Sequence, residues 1–150
     1  MNIQEDQSNP HKHIDLRMRT LRTLWLALFF SVGFYYVLTL FIRRNENAVP
    51  NNTLSITLVM VALSATLISF LVKNKLLARA VEQQQVQMVQ QAYVVAWAIN
   101  DVAALLGFLD FLMSGNRYYY VPFLIAAAGQ LLHFPRREHV ENAAFKRTTS

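Results

Sequence analysis

"VVAWAINDVAALLGFLDFLM", residues 94–113, decides how this chain is built. Most of it is apolar enough to dissolve in lipid, yet it carries Asn100, Asp101 and Asp110. If it crosses a membrane, the chain is an integral membrane protein with an acid in its interior. If it does not, the rest of the sequence has to supply a soluble core.

The flanking sequence settles that choice. No charged residue occurs between Leu24 and Ile42, or between Leu54 and Val72. A helix needs about 20 apolar residues to cross a hydrocarbon layer of about 30 Å, and both runs are of that length. Residues 24–42 and 54–72 are therefore read as spans, and residues 92–113 as a third. A fourth, 118–134, is short and contains Pro122, Gln130 and His133. Pro122 falls in its first turn, where a missing N–H costs nothing. The expectation is all-α: an antiparallel four-helix bundle embedded in a membrane, with one transmembrane domain over residues 24–134.

Charge placement gives an orientation. The net charge of +5 is not a nucleic-acid footprint, because the basic residues cluster at the ends of apolar runs. Lys12, Arg17, Arg19 and Arg22 precede the first span, Lys73, Lys75 and Arg79 follow the second, and Arg136, Arg137, Lys146 and Arg147 follow the fourth. Arg43, Arg44 and Arg117 stand alone on the other side. The positive-inside rule then puts both termini and the 73–91 segment in the cytoplasm, in a cell or bacterial inner membrane. Arg17, Arg19, Arg22, Arg136 and Arg137 are the expected anchors to the bilayer surface.

Residues 1–23 read as a polar, basic tail without order, and 135–150 as a second basic tail. His11 and His13 on the first tail are not expected to hold a metal. The 73–91 segment contains neither glycine nor proline. Leu76, Leu77, Ala80, Val81, Met88 and Val89 fall at helical spacing, so the flanking spans are expected to continue as helices and reverse near Gln83–Gln85 or Gln90–Gln91. There is no cysteine, hence no disulfide or thiol chemistry.

Within the third span, Asp101 lies about 3 Å from the expected midplane at 1.5 Å per residue. An ionised acid there costs about 2.5–3.5 kcal/mol, and desolvation favours its neutral form. Asp110 is expected near the outer surface, within reach of Arg117. Ala96, Asn100, Ala103, Ala104 and Gly107 form a narrow stripe suited to close helix packing. In a hairpin turning at residues 115–116, Asp101 comes level with Gln130, and Ala126 and Gly129 supply small residues opposite. Asn100, Asp101, Gln130 and His133 are thus expected to form one intramembrane polar cluster.

"AINDVAALLGFLDFLM", residues 98–113, resembles the second helix of subunit c of rotary ATP synthases. There a mid-helix acid is followed by small residues and a Leu/Gly-rich run. The resemblance implies that Asp101 would take the proton-carrying position. The chain departs from that family in "SITLVMVALSATLISFLV", which lacks a glycine-rich face, in its long inner loop and in its two additional spans. More broadly it resembles small four-span bacterial membrane proteins whose last span ends in "FPRR", which implies no particular activity.

No enzyme motif is present: neither HExxH, GxSxG nor a Gly-rich phosphate loop occurs. No cofactor is expected. The preferred reading is a structural, accessory or assembly subunit working through helix packing, with the bilayer and a homo-oligomer or larger membrane complex as partners. The alternative is a proton- or ion-handling subunit using Asp101.

Overall fold

Backbone N–H and C=O groups cannot be left unpaired in hydrocarbon, and a helix pairs them within one segment. The computed structural model describes residues 10–42 and 50–144. Among them are five helices and no strand: α1 (Pro10–Phe41), α2 (Asn52–Glu82), α3 (Val86–Met113), α4 (Val121–Leu132) and α5 (Arg137–Ala144). Helices α1, α2 and α3 are each long and apolar enough to cross a membrane. With 32, 31 and 28 residues they exceed what the hydrocarbon layer requires.

The α2–α3 pair is closed at both ends. Gln83 ends α2 by donating its N–H to the Arg79 carbonyl, and Gln84 takes the reversal at φ 52°. The turn therefore falls at Gln83–Gln85 rather than at Gln90–Gln91. At the opposite end the Asn51 carboxamide caps α2 by accepting the Leu54 N–H. The Asn51 N–H donates to the Ser114 carbonyl at 2.8 Å, pinning the start of α2 to the end of α3.

The segment read as a fourth span is shorter than expected. Tyr118–Tyr120 form a turn, and the helix runs only over Val121–Leu132. Pro122 opens it, His133 caps it, and Pro135 cannot extend it. At 12 residues it is about 18 Å long, well short of a bilayer core.

Two cores lie along the helices. One, within the apolar runs, joins Val32, Ala62, Ala103, Ala104, Phe123 and Ala126. The other lies at the end that carries α5 and the α2–α3 turn. There Ile14, Met18 and Leu21 of α1 pack with Leu77, Ala80, Val89, Tyr93 and Trp97, and with Val140 and Ala143 of α5. This corrects the reading of both tails. Residues 10–23 are helical, because Ile14, Met18 and Leu21 share one face at i, i+4, i+7 spacing. Residues 137–144 fold back onto that face, and Arg137 bridges Asp15 of α1 at 3.4 Å. Arg43, Arg44, Lys146, Arg147 and the side chains of His11, Lys12 and His13 lie outside the described residues.

A second polar joint, beside the Asp15–Arg137 bridge, holds α5 to α3. The Tyr93 hydroxyl sits against His139 Nδ1 at 2.5 Å and accepts the Arg136 N–H at 3.1 Å. A neutral imidazole completes this bond in either tautomer, as acceptor of the hydroxyl proton or as donor to its oxygen. Burial, then the charges of Lys73 and Arg136, hold the His139 ring below its usual range, with Glu138 opposing them. Below about pH 6.5, the ordinary histidine value, the undocked form binds more protons than the docked one. Docking of α5 is thus full at neutral pH and weakens as the pH falls. The protection factors of the Arg137–Ala144 amides, which correct for the slower intrinsic exchange in acid, should fall on acidification, and His139→Gln should flatten that dependence.

Candidate functional site

Helix α2 turns one face inward along its length: Ser55, Leu58, Ala62, Thr66, Ser69, Lys73, Leu77 and Ala80 are all buried. Three of these carry hydroxyls, and they meet the polar residues of α3 and α4. The side chain at the centre is Asn100, which is fully buried. Its Oδ1 accepts the Thr66 hydroxyl at 3.1 Å. Its Nδ2 donates to the Ala126 carbonyl at 2.8 Å and to Gln130 Oε1 at 3.2 Å. A carbonyl can only accept, so the amide has one possible orientation. One side chain thus ties three helices together with both amide protons used.

Gly129 makes this approach possible. A Cβ built there would lie 2.2 Å from Asn100 Oδ1 and 2.8 Å from Thr66 Cγ2. Gly107 plays the same part higher on α3, where a Cβ would meet the Phe123 ring at 2.9 Å. Ala96, Ala103, Ala104 and Ala126 are fully buried beside them. The small-residue face expected from the sequence is therefore the packing face.

His133 extends the network by one turn. Its Nδ1 faces the Gly129 carbonyl at 2.6 Å and so carries a proton, while Nε2 faces the Ser69 hydroxyl at 3.1 Å. Its own carbonyl accepts the Trp97 indole N–H at 3.1 Å. The Gln130 carbonyl accepts the Trp25 indole N–H at 2.8 Å, so Trp25 tethers α1 to α4 in addition to lying near a basic flank.

The two acids stand apart from this network. Asp101 points to α1, where its nearest donor is the Ser31 hydroxyl at 3.5 Å; the residue is half-buried, and its Oδ1 is buried without a partner. Of the expected four-residue cluster, Asn100, Gln130 and His133 come together and Asp101 does not. Asp110 is also placed differently from expectation. It is fully buried and accepts the Ser55 hydroxyl at 2.8 Å instead of pairing with Arg117. Arg117 lies over the Tyr118 ring, 5.5 Å from its centroid. Ser55 belongs to the opening of α2, whose positive dipole end faces Asp110 and lowers the cost of burying it.

Between the Asn100 node and Asp110 lies the apolar layer of Ala62, Ala103, Ala104 and Phe123. The polar groups are therefore separate patches and do not form a continuous path along the bundle. Among the described residues no three His, Asp or Glu side chains gather as a metal site. A groove of about 280 Å³ beside α1 and α4 is lined by Phe29, Val32, Gly33, Phe123, Leu124 and Ala127, with the hydroxyl-bearing Tyr36 and Tyr120 as its only side chains that carry a polar group. No family model matches the chain, and neither a curated protein nor a solved structure matches it. The likeness to subunit c thus rests on residues 98–113 alone.

Sequence reasoning missed Ser55, Thr66 and Ser69. Their signal was present, since positions 55, 62, 66, 69 and 73 share one helical face. Removing the node should be costly. Each intramembrane hydrogen bond contributes about 0.6–2 kcal/mol, so Asn100→Ala should destabilise by about 2–4 kcal/mol. Gly129→Ala should cost about 1–3 kcal/mol through overpacking. Asp101→Asn should change stability by less than about 1 kcal/mol, since it disturbs a single long contact. Unfolding of the purified protein in detergent, followed by circular dichroism, ranks the three.

Proposed function

We propose that the protein is a small membrane component that works by holding helices together, as an accessory or assembly subunit without catalysis of its own. The observation that carries this reading is the Asn100 node. A buried carboxamide with its protons committed to α4 and its oxygen to α2 is suited to locking and poorly suited to exchange. The apolar layer between the node and Asp110 supports the same reading, because proton transfer along the bundle would need a relay there.

In the proposed arrangement α1, α2 and α3 cross the bilayer and α4 enters it beside them, completing an antiparallel four-helix bundle. Both termini and the Gln83–Gln85 turn face the cytoplasm, with the second core standing just outside the membrane. The clustering of Arg17, Arg19, Arg22, Lys73, Lys75, Arg79, Arg136 and Arg137 at that end supports the orientation. The chain has no cysteine, so single introduced thiols report topology cleanly. An impermeant maleimide should label Arg117→Cys on intact cells and Gln84→Cys only after permeabilisation. The reverse pattern removes the proposed orientation.

The lock and its neighbouring acid separate in one comparison. On native gels of solubilised membranes, Asn100→Ala should lose any species larger than the single chain, and Asp101→Asn should keep it. A second reading, proton or ion handling at Asp101, draws on the buried, unpartnered Oδ1 of that residue. Carbodiimide attacks protonated carboxyls in apolar surroundings. In liposomes, from about pH 5 to about pH 9, a titrating acid is labelled less as the pH rises through its pKa. Such labelling, absent in Asp101→Asn, would bring this reading forward. No labelling at any pH would remove it.

A further inference from the structure

Lys73 is a buried cation without a counter-charge. It is 8% exposed, yet its ammonium makes no hydrogen bond or ion pair among the described residues. Its stem lies between two rings, with Nζ 5.2 Å from the centroid of Phe70 and 5.9 Å from that of Tyr93. Cation–π contact offsets part of the burial but leaves three N–H donors unused. The side-chain polar atoms buried without a partner are Asp101 Oδ1, Asp110 Oδ1 and Gln130 Nε2, and Nζ is not one of them. The ammonium therefore opens onto the surface.

A second cation adjoins it. The Tyr93 ring under Lys73 carries the hydroxyl that accepts the Arg136 backbone N–H, which brings residue 136 to the same side chain. Their charges repel, which adds to burial in disfavouring the Lys73 ammonium. None of the acids described at this end bonds to either cation. Asp15 and Glu141 both pair with Arg137, and Glu138 bonds to neither Lys73 nor Arg136 among the described residues. Two adjacent cations, one with idle donors, need an oxyanion.

Depth identifies its source. Lys73 follows immediately on the charge-free run 54–72, at the level where headgroup phosphates lie if that run spans the bilayer. We propose that Lys73 and Arg136 together hold the phosphate group of an anionic phospholipid at the α5 end of the bundle. The assignment rests on the membrane reading above and adds to it a site for one lipid.

Native mass spectrometry of the full chain, released from detergent after incubation with phosphatidylglycerol or phosphatidylcholine, tests this. One phosphatidylglycerol should be retained per chain in preference to phosphatidylcholine. Lys73→Met, which keeps the buried stem, should weaken retention about tenfold, the equivalent of one charge-assisted hydrogen bond. Arg136→Gln should weaken it in the same direction, and it leaves the backbone bond to Tyr93 intact. Replacing Arg17, Arg19 and Arg22 by glutamine should leave it unchanged.

A loss in that triple variant as large as in Lys73→Met would overturn the site in favour of a diffuse field. Displacement of the lipid by an equal concentration of inorganic phosphate would overturn the lipid as the source. Membrane-bound protein without any lipid preference removes this proposal alone. Recovery of the protein in the soluble fraction would remove the membrane reading along with it.

Discussion

Lipid tails are as apolar as leucine, so helices already inside a bilayer gain little by hiding apolar side chains from it. Association there depends on close contact and on polar groups with nowhere else to bond. In this chain those requirements converge on the contact between Asn100 and Gly129. Without the bare Cα of Gly129 the carboxamide could not reach the Ala126 carbonyl, and α3 and α4 would stand apart. Without the carboxamide, Thr66 on α2 and Gln130 on α4 would each lose a partner. The alanines around them allow the approach but do not direct it.

The acids follow from the same geometry. Asn100 and Asp101 are adjacent, and adjacent residues on a helix point about 100° apart. A node that turns Asn100 toward α2 and α4 must turn Asp101 elsewhere, and α1 is what it meets. Asp110 comes about two and a half turns later and faces the opening of α2, where a hydroxyl and the positive end of a helix receive it. The greasy stretch tolerates two carboxylates because each lies at a different seam.

Much of this was legible beforehand. Long charge-free runs announced α1 and α2, small residues at helical spacing suggested a packing face, and glutamine-rich polarity narrowed the reversal to 83–85 or 90–91, between which only the structure chooses. The partners of Asn100 were harder to see, because serine and threonine are common in apolar helices and bond their own carbonyls when alone. Thr57 and Ser64 do so on the outer face of α2. Only the inward register of Thr66 and Ser69 distinguishes them. The second core was hidden for another reason. It is assembled from residues 14–21, 77–97 and 140–143, and none of these stretches carries enough apolar surface to declare itself.

The position of α5 bears on how the protein is made. Ile14, Met18 and Leu21 are synthesised well before Val140 and Ala143, which cover them. While the ribosome is still working through the middle of the chain, the apolar face near the N-terminus has no mate. Pairing of α1, α2 and α3 can proceed, but this core has to wait until α5 has been made. Closing the Asp15–Arg137 bridge joins the two ends of the described chain and can follow only once all that lies between them has been made.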